Sequence, residues 1–265
     1  MYKTSFIQKL RRYRFLIIAF ILFSSFIIYQ QQKPVLYIIG DSTVKNGNGN
    51  PSNTQQGWGS WIDMYFDTTR ISVQNHAIGG RSSRTFLTEG RWDKILQTLK
   101  KGDYVMMQFG HNDSSPLDDT ARARGTIKGI GDDSVEIYNP IRKMKETVHT
   151  YGWYMRKFIN DTKAKGAIPI VCSPIPRYSY KNGKINRDNY TVWSKQLAEE
   201  TGAYFIPLNE MIAVEYEKMD SVTVKKFFPQ DNTHTNKTGA VMNAQLVVKG
   251  LQQLKDCPLN EYIKK

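Results

Sequence analysis

Five short apolar runs, separated by stretches with helical spacing, constrain this chain more than any other feature. They are residues 35–39 (VLYII), 71–75 (ISVQN), 104–109 (YVMMQF), 168–173 (IPIVCS) and 204–207 (YFIP). Several offer no polar face to solvent, which is the pattern of parallel strands covered on both sides. Helical patterns occupy residues 59–66, 92–100, 150–165, 187–201, 210–220 and 238–254. Strands alternating with helices predict a three-layer α/β/α domain around a central five-stranded parallel sheet. Gly166 and Gly202 stand just past two of these helices, and Gly102 repeats the device before the third strand. Glycine there can take the left-handed conformation that closes a last helical turn. With 265 residues, 40% of them hydrophobic, the chain is too apolar to be disordered, and two cysteines exclude a disulfide-stapled scaffold.

The net charge of +13 divides unevenly. Six cations and no acid lie in residues 1–34, which leaves +7 for residues 35–265. The apolar run 15–29 (FLIIAFILFSSFIIY) follows Lys9, Arg11, Arg12 and Arg14, the layout of an export signal. As a helix it would span about 22 Å, short of the roughly 30 Å hydrocarbon core. Residues 1–34 are therefore expected to be a signal peptide or an N-terminal membrane anchor. The body, residues 35–265, is expected outside the cytoplasm, periplasmic or extracellular. The +7 of the body fits nucleic acid, an anionic membrane surface or a polyanionic glycan, and selects none of them.

In doubly wound sheets a ligand sits beyond the carboxyl ends of the strands. The first strand delivers Gly40-Asp41-Ser42-Thr43, where Ser42 can serve as a nucleophile or as a turn and capping residue. The second leads to Gly79-Gly80-Arg81-Ser82, whose glycines suit an oxyanion cradle or a tight turn. The third ends in Gly110-His111-Asn112-Asp113. The Asn112 amide can donate to an oxyanion, and His111 can be read as a base or a metal ligand. No metal-ligand spacing accompanies His111, so no metal or cofactor is assigned. Asp231 and His234 lie three apart before the last helix, as a carboxylate orienting a base or as a polar capping loop. Residues 112–149 show little regular pattern and leave the third strand at its carboxyl end, so they are expected to form part of the site wall.

The order of these pieces is more telling than any one of them. It resembles the SGNH (GDSL-type) hydrolases, whose Ser, Gly, Asn and His would here be Ser42, Gly80, Asn112 and His234, with Asp231 as third triad member. The stretches GDSTVKNG, GWGSW, AIGGRSSRTFLTEGRW, GDYVMMQFGHND and FPQDNTHTNKTGA are similar to rhamnogalacturonan acetylesterases within that superfamily. The resemblance runs from about Val35 to Leu254. It implies a flavodoxin-like α/β/α sandwich, a Ser42–His234–Asp231 triad and an oxyanion hole from Ser42, Gly80 and Asn112. It also implies removal of O-acetyl groups from pectic rhamnogalacturonan.

Arg81, Arg84, Arg122 and Arg124 are candidates for contacts with substrate carboxylates, because the guanidinium fork matches a carboxylate. Their alternative reading is structural, as ties between loops. The expected partner is an acetylated acidic polysaccharide or oligosaccharide, with no nucleic acid, and with membrane contact only through the N-terminal segment. The competing readings are an esterase or O-acetyltransferase on another acetylated glycan, such as xylan or a cell-wall polysaccharide, and a non-catalytic binding module.

Overall fold

The computed structural model describes residues 33–45 and 55–264. The N-terminal segment read as an export signal lies outside them. The strands are β1 (Val35–Gly40), β2 (Ser72–Asn75), β3 (Tyr104–Gln108), β4 (Ser134–Asn139), β5 (Met144–His149), β6 (Ile168–Cys172), β7 (Tyr180–Lys181), β8 (Lys184–Ile185) and β9 (Tyr204–Ile206). The five expected from the apolar runs pair in parallel in the order β2-β1-β3-β6-β9. That is the doubly wound order of flavodoxin-like sheets, with β1 central to the crossover.

The two-residue repeat of the strands divides the interior into two cores. Leu36, Ile38, Met106, Ile170 and Cys172 face one side, against Trp58 and helices α5 (Leu208–Glu217) and α7 (Lys237–Gln252). Tyr37, Ile39, Val105, Met107 and Val171 face the other, against α1 (Ser83–Thr88), α2 (Arg91–Thr98), α3 (Tyr151–Ala164) and α4 (Asn189–Thr201). A short α6 (Ser221–Lys225) precedes the loop of Asp231. Each fully buried large apolar side chain contributes about 1.5–3 kcal/mol, so both layers have reason to stay closed. Helix starts are set locally: Ser82, Thr150, Asp188 and Asn236 each accept a backbone N–H of the first turn. Gly166 and Gly202 have φ of 71° and 61°, as their places after α3 and α4 require.

Two segments differ from expectation. Residues 59–66 form two 3-10 turns, Trp58–Ser60 and Ile62–Tyr65, rather than one helix. The Trp58 N–H donates to Thr43 O and the Asn75 amide to Val44 O, so the segment follows the turn after β1 instead of its own i to i+4 bonds. The second is 112–149, whose latter part is the antiparallel hairpin β4–β5. Most of its residues are exposed, so it lacks the apolar alternation that marks a half-buried strand.

Candidate active site

Ser42 stands on a turn that begins where β1 meets its neighbour. A side chain at Gly40 would fall 2.6 Å from Gln108 O on β3. Asp41, fully buried, accepts from the Thr43 N–H at 2.8 Å and from Thr43 Oγ1 at 2.7 Å. Thr43 Oγ1 in turn accepts from Gln108 Nε2 at 2.6 Å, and Gln108 Oε1 accepts from Trp58 Nε1 at 2.9 Å. Burial alone would push the Asp41 carboxyl up. The charge and hydrogen bond of His111 and the bonds from Thr43 outweigh it and hold the group below its ordinary value. This buried chain fixes the backbone beneath the serine, whose own side chain is half-buried.

The loop after α6 brings the base to it. Ser42 Oγ lies 2.7 Å from His234 Nε2, and His234 Nδ1 lies 2.6 Å from Asp231 Oδ2. Asp231 shapes its own turn: Oδ1 accepts from the N–H groups of Thr233 at 2.7 Å and His234 at 2.8 Å. Gln55 Nε2 donates to its other oxygen at 3.2 Å. Burial tends to raise the Asp231 carboxyl, but the His234 N–H, the imidazole and the Thr233 N–H hold it down at about 2. A carboxylate at Nδ1 favours the tautomer with its proton there, which leaves Nε2 free to accept from the serine hydroxyl.

Backbone donors face the same point. Gly80 has φ +75°, a conformation that disfavours any side chain, and an added Cβ would fall on the Arg122 guanidinium. Among the described residues the Ser42 and Gly80 N–H groups have no protein acceptor. The Asn112 Nδ2 group donates to Arg81 O at 2.9 Å, which orients the amide and leaves its second hydrogen for a ligand. The next residue, Asp113, ties this loop to α1 by accepting from the Ser83 N–H at 3.1 Å. Complete burial, only partly offset by the bonds from Ser83, pushes the Asp113 carboxyl up to about 7.

These groups open onto a pocket of about 540 Å³. Lys45, Arg122, Arg124 and Arg177 line it with Ser42, Gly80, Asn112 and His234, and no carboxylate is among its lining residues. The wall holding Arg122 and Arg124 turns at Ala123, a buried residue with φ +47°, a strained conformation for alanine. Arg124 Nε is held by Ser115 Oγ at 3.0 Å, and Arg122 Nη1 reaches Gly79 O at 3.4 Å.

The other two arginines correct the sequence expectation. Arg84 is 0% exposed: Nε donates to Glu146 at 2.7 Å, and Nη1 to Leu117 O and Gly125 O at 2.7 and 2.9 Å. A side chain enclosed in this way meets no substrate; it ties α1 to β5 and to the loop that carries Arg122 and Arg124. Arg81 is paired with Glu89, its Nε at 3.1 Å, and does not line the pocket. His111 is likewise structural, with Nδ1 3.3 Å from Asp41 and Nε2 3.0 Å from Ile175 O. Sequence reasoning missed Arg177 and Lys45. Arg177 follows β6 by a few residues, and the rule that sites gather at carboxyl strand ends was the available signal.

A serine, an imidazole on its hydroxyl, a carboxylate behind the imidazole and free backbone donors are the parts of an acyl-transfer centre. The chain belongs to the GDSL-like lipase/acylhydrolase family, whose model matches residues 38–240, and it is an esterase. It is 33% identical over 235 residues to the probable rhamnogalacturonan acetylesterase YesY of Bacillus subtilis, covering 86% of this chain and 96% of that one. It is 31% identical over 219 residues to the rhamnogalacturonan acetylesterase of Emericella nidulans, covering 82% and 84%. Among solved structures it resembles YxiM of Bacillus subtilis, with a TM-score of 0.68, 28% identity and 85% of this chain covered, spanning 58% of that chain. The acetylxylan esterase Axe2 of Geobacillus stearothermophilus shares the fold, with a TM-score of 0.56, 16% identity and coverage of 82% and 94%.

Proposed function

We propose that this esterase removes O-acetyl groups from pectic rhamnogalacturonan, with Ser42, His234 and Asp231 as the triad and Ser42, Gly80 and Asn112 as the oxyanion hole. The observation that carries the mechanism is the continuous line from Asp231 Oδ2 through the His234 ring to Ser42 Oγ, with links of 2.6 and 2.7 Å. In this reading Ser42 Oγ attacks the acetyl carbonyl carbon as its proton passes to His234 Nε2. The C–O bond to the sugar then breaks, and the leaving sugar oxygen takes that proton. Water, deprotonated by His234, attacks the acetyl-serine; the bond from the acetyl carbon to Ser42 Oγ breaks, Oγ takes the proton back from His234 Nε2, and acetate leaves. The Ser42 and Gly80 N–H groups and the Asn112 amide receive the charge of each tetrahedral intermediate.

The substrate class rests on two supports. Two relatives at 33% and 31% identity carry the name rhamnogalacturonan acetylesterase. The pocket wall also carries Lys45, Arg122, Arg124 and Arg177 without a carboxylate, which suits a chain bearing galacturonate better than neutral xylan. The basic and apolar N-terminal sequence supports export, which would bring the enzyme to such a polymer, and fractionation of expressing cells tests it.

The test of function is acetate release from acetylated rhamnogalacturonan and acetylated xylan by the wild type and Ser42→Ala. Release from the pectic polymer, abolished in Ser42→Ala, is the expected result. Mutant-sensitive release from xylan alone would keep the triad and discard the pectic substrate. Wild-type rates in Ser42→Ala would remove the serine from the mechanism.

A further inference from the structure

A second cavity of about 320 Å³ adjoins the catalytic pocket on the far side of Arg177. Arg177 and His111 line both, so the two spaces share a wall. Arg177 is pinned there, with Nη1 on Thr233 Oγ1 and Nη2 on His111 O at 3.1 Å. The volume sits at the lower end of the roughly 300–1,000 Å³ usual for small-ligand sites, the scale of a single sugar ring.

Its chemistry is distinct from that of the catalytic pocket. Besides Arg177 it presents Lys128, Ser179, Asn186, Asn189 and Trp193. The side chains of Lys128, Ser179, Asn186 and Asn189 are exposed and, with the Trp193 indole N–H, have no hydrogen-bond partner among the described residues, so these groups stand open to a ligand at the cavity mouth. Trp193 is half-buried and braced edge-on by Tyr190 at 4.8 Å, which leaves a rigid aromatic surface at the cavity. The one carboxylate in the lining, Asp188, caps α4 through the Thr191 N–H at 3.2 Å. Amides, a hydroxyl and an aromatic ring match sugar hydroxyls and a ring face, and two cations match a carboxylate.

We propose that this cavity is a subsite for a uronic-acid residue of the same polysaccharide chain whose acetylated residue occupies the catalytic pocket. The proposal rests on the pectic reading above and deepens it. An esterase so built recognises at least two sugars at once, one on each side of Arg177. It therefore favours oligosaccharides over acetylated monosaccharides.

The test uses Lys128→Gln and Asn186→Ala, singly and together, on the full chain. Substrates are acetylated rhamnogalacturonan oligosaccharides and p-nitrophenyl acetate. Binding of the deacetylated oligosaccharide is measured by calorimetry in a Ser42→Ala background. The double variant is expected to raise KM for the oligosaccharide and weaken its binding about tenfold, equivalent to about 1.4 kcal/mol. The small ester, with no sugar to place in the cavity, should keep its kcat/KM within about twofold. Unchanged oligosaccharide KM and affinity, with an active wild type, would overturn the subsite and leave the pectic function standing. A wild type that hydrolyses p-nitrophenyl acetate but releases nothing from the oligosaccharide would overturn both.

Discussion

The reactive centre and the cationic wall beside it are built in opposite ways. Ser42, Gly80 and Asn112 stand within a few residues of the strands that deliver them, and each loop is held by short-range bonds. The Thr43–Asp41 and Thr233–Asp231 turns close over two residues. Arg122 and Arg124 instead lie in a long insertion between β3 and α3, where local bonds such as Arg124 Nε to Ser115 Oγ at 3.0 Å are joined by an anchor from another element. Arg84 holds Leu117 O, Gly125 O and Glu146 together from beneath. The comparison teaches that the reacting atoms are placed by strand ends, whereas the cationic wall of the pocket is joined to the rest of the fold through an enclosed ion pair.

Breaking that pair should have the largest effect. Arg84 and Glu146 side chains are 0% and 6% exposed, so Arg84→Met leaves a carboxylate enclosed with only Asn139 and Arg142 beside it. Loss of one partner of a buried pair costs about 3–5 kcal/mol. Thermal or urea unfolding should show that loss, and Arg84→Met/Glu146→Gln should recover part of it. If the pair supports the wall, KM for the pectic oligomer should also rise more than KM for p-nitrophenyl acetate. Equal changes on both substrates would mean that the ion pair acts on the fold as a whole.

The reactive centre answers differently. Asn112→Ala removes one loop-to-loop hydrogen bond, to Arg81 O, so stability should fall by only about 0.5–1.5 kcal/mol. Loss of one oxyanion donor lowers turnover about 100–1,000-fold, roughly 2.7–4 kcal/mol. Stopped or steady-state assays with p-nitrophenyl acetate measure it, and a turnover within a few-fold of wild type would remove Asn112 from the oxyanion hole.

The smallest effect concerns the joint between the two regions, Asp113. Its carboxyl stands at about 7 in the folded protein, whereas an unfolded aspartate titrates near about 3.9. Between these values the folded chain keeps a proton that the unfolded chain has released. This group's contribution is therefore full below about 3.9 and is lost as pH rises to about 7. Asp113→Asn does not titrate, so its melting temperature relative to wild type should climb steadily across that window. A constant difference from pH 4 to pH 7 would place the Asp113 carboxyl at an ordinary value. Asp231 behaves oppositely: held at about 2, it remains a carboxylate through mild acid, and the stability from its bonds is lost only below about pH 4.

Much of the frame was legible in the sequence. All five apolar runs became strands of one parallel sheet, and the six expected helices include five whose ends shift by at most three residues. These features are encoded within a few neighbouring residues, by two-residue alternation, capping side chains and glycine at helix ends. Ser42, Asp231 and His234 were legible for the same reason, since each follows or precedes a recognisable element. Helix α1 and the β4–β5 hairpin were not, because one is a single short capped turn and the other shows solvent on most positions.

What the sequence alone determined is therefore the order of elements and the kinds of residue at their ends. Only the tertiary structure decided which arginines line the pocket. Arg81, Arg84, Arg122 and Arg124 are chemically identical, and their places follow from what folding packs around them; Arg124 lies 3.6 Å from Asp119 yet still lines the pocket. Glu146, 62 residues along the chain, encloses Arg84, and Glu89 claims Arg81. Arg177 joins the pocket because β6 lies beside β3 in the sheet. Local periodicity carries information over one or two turns of chain, whereas the pairing of a charge depends on contacts made across the whole fold.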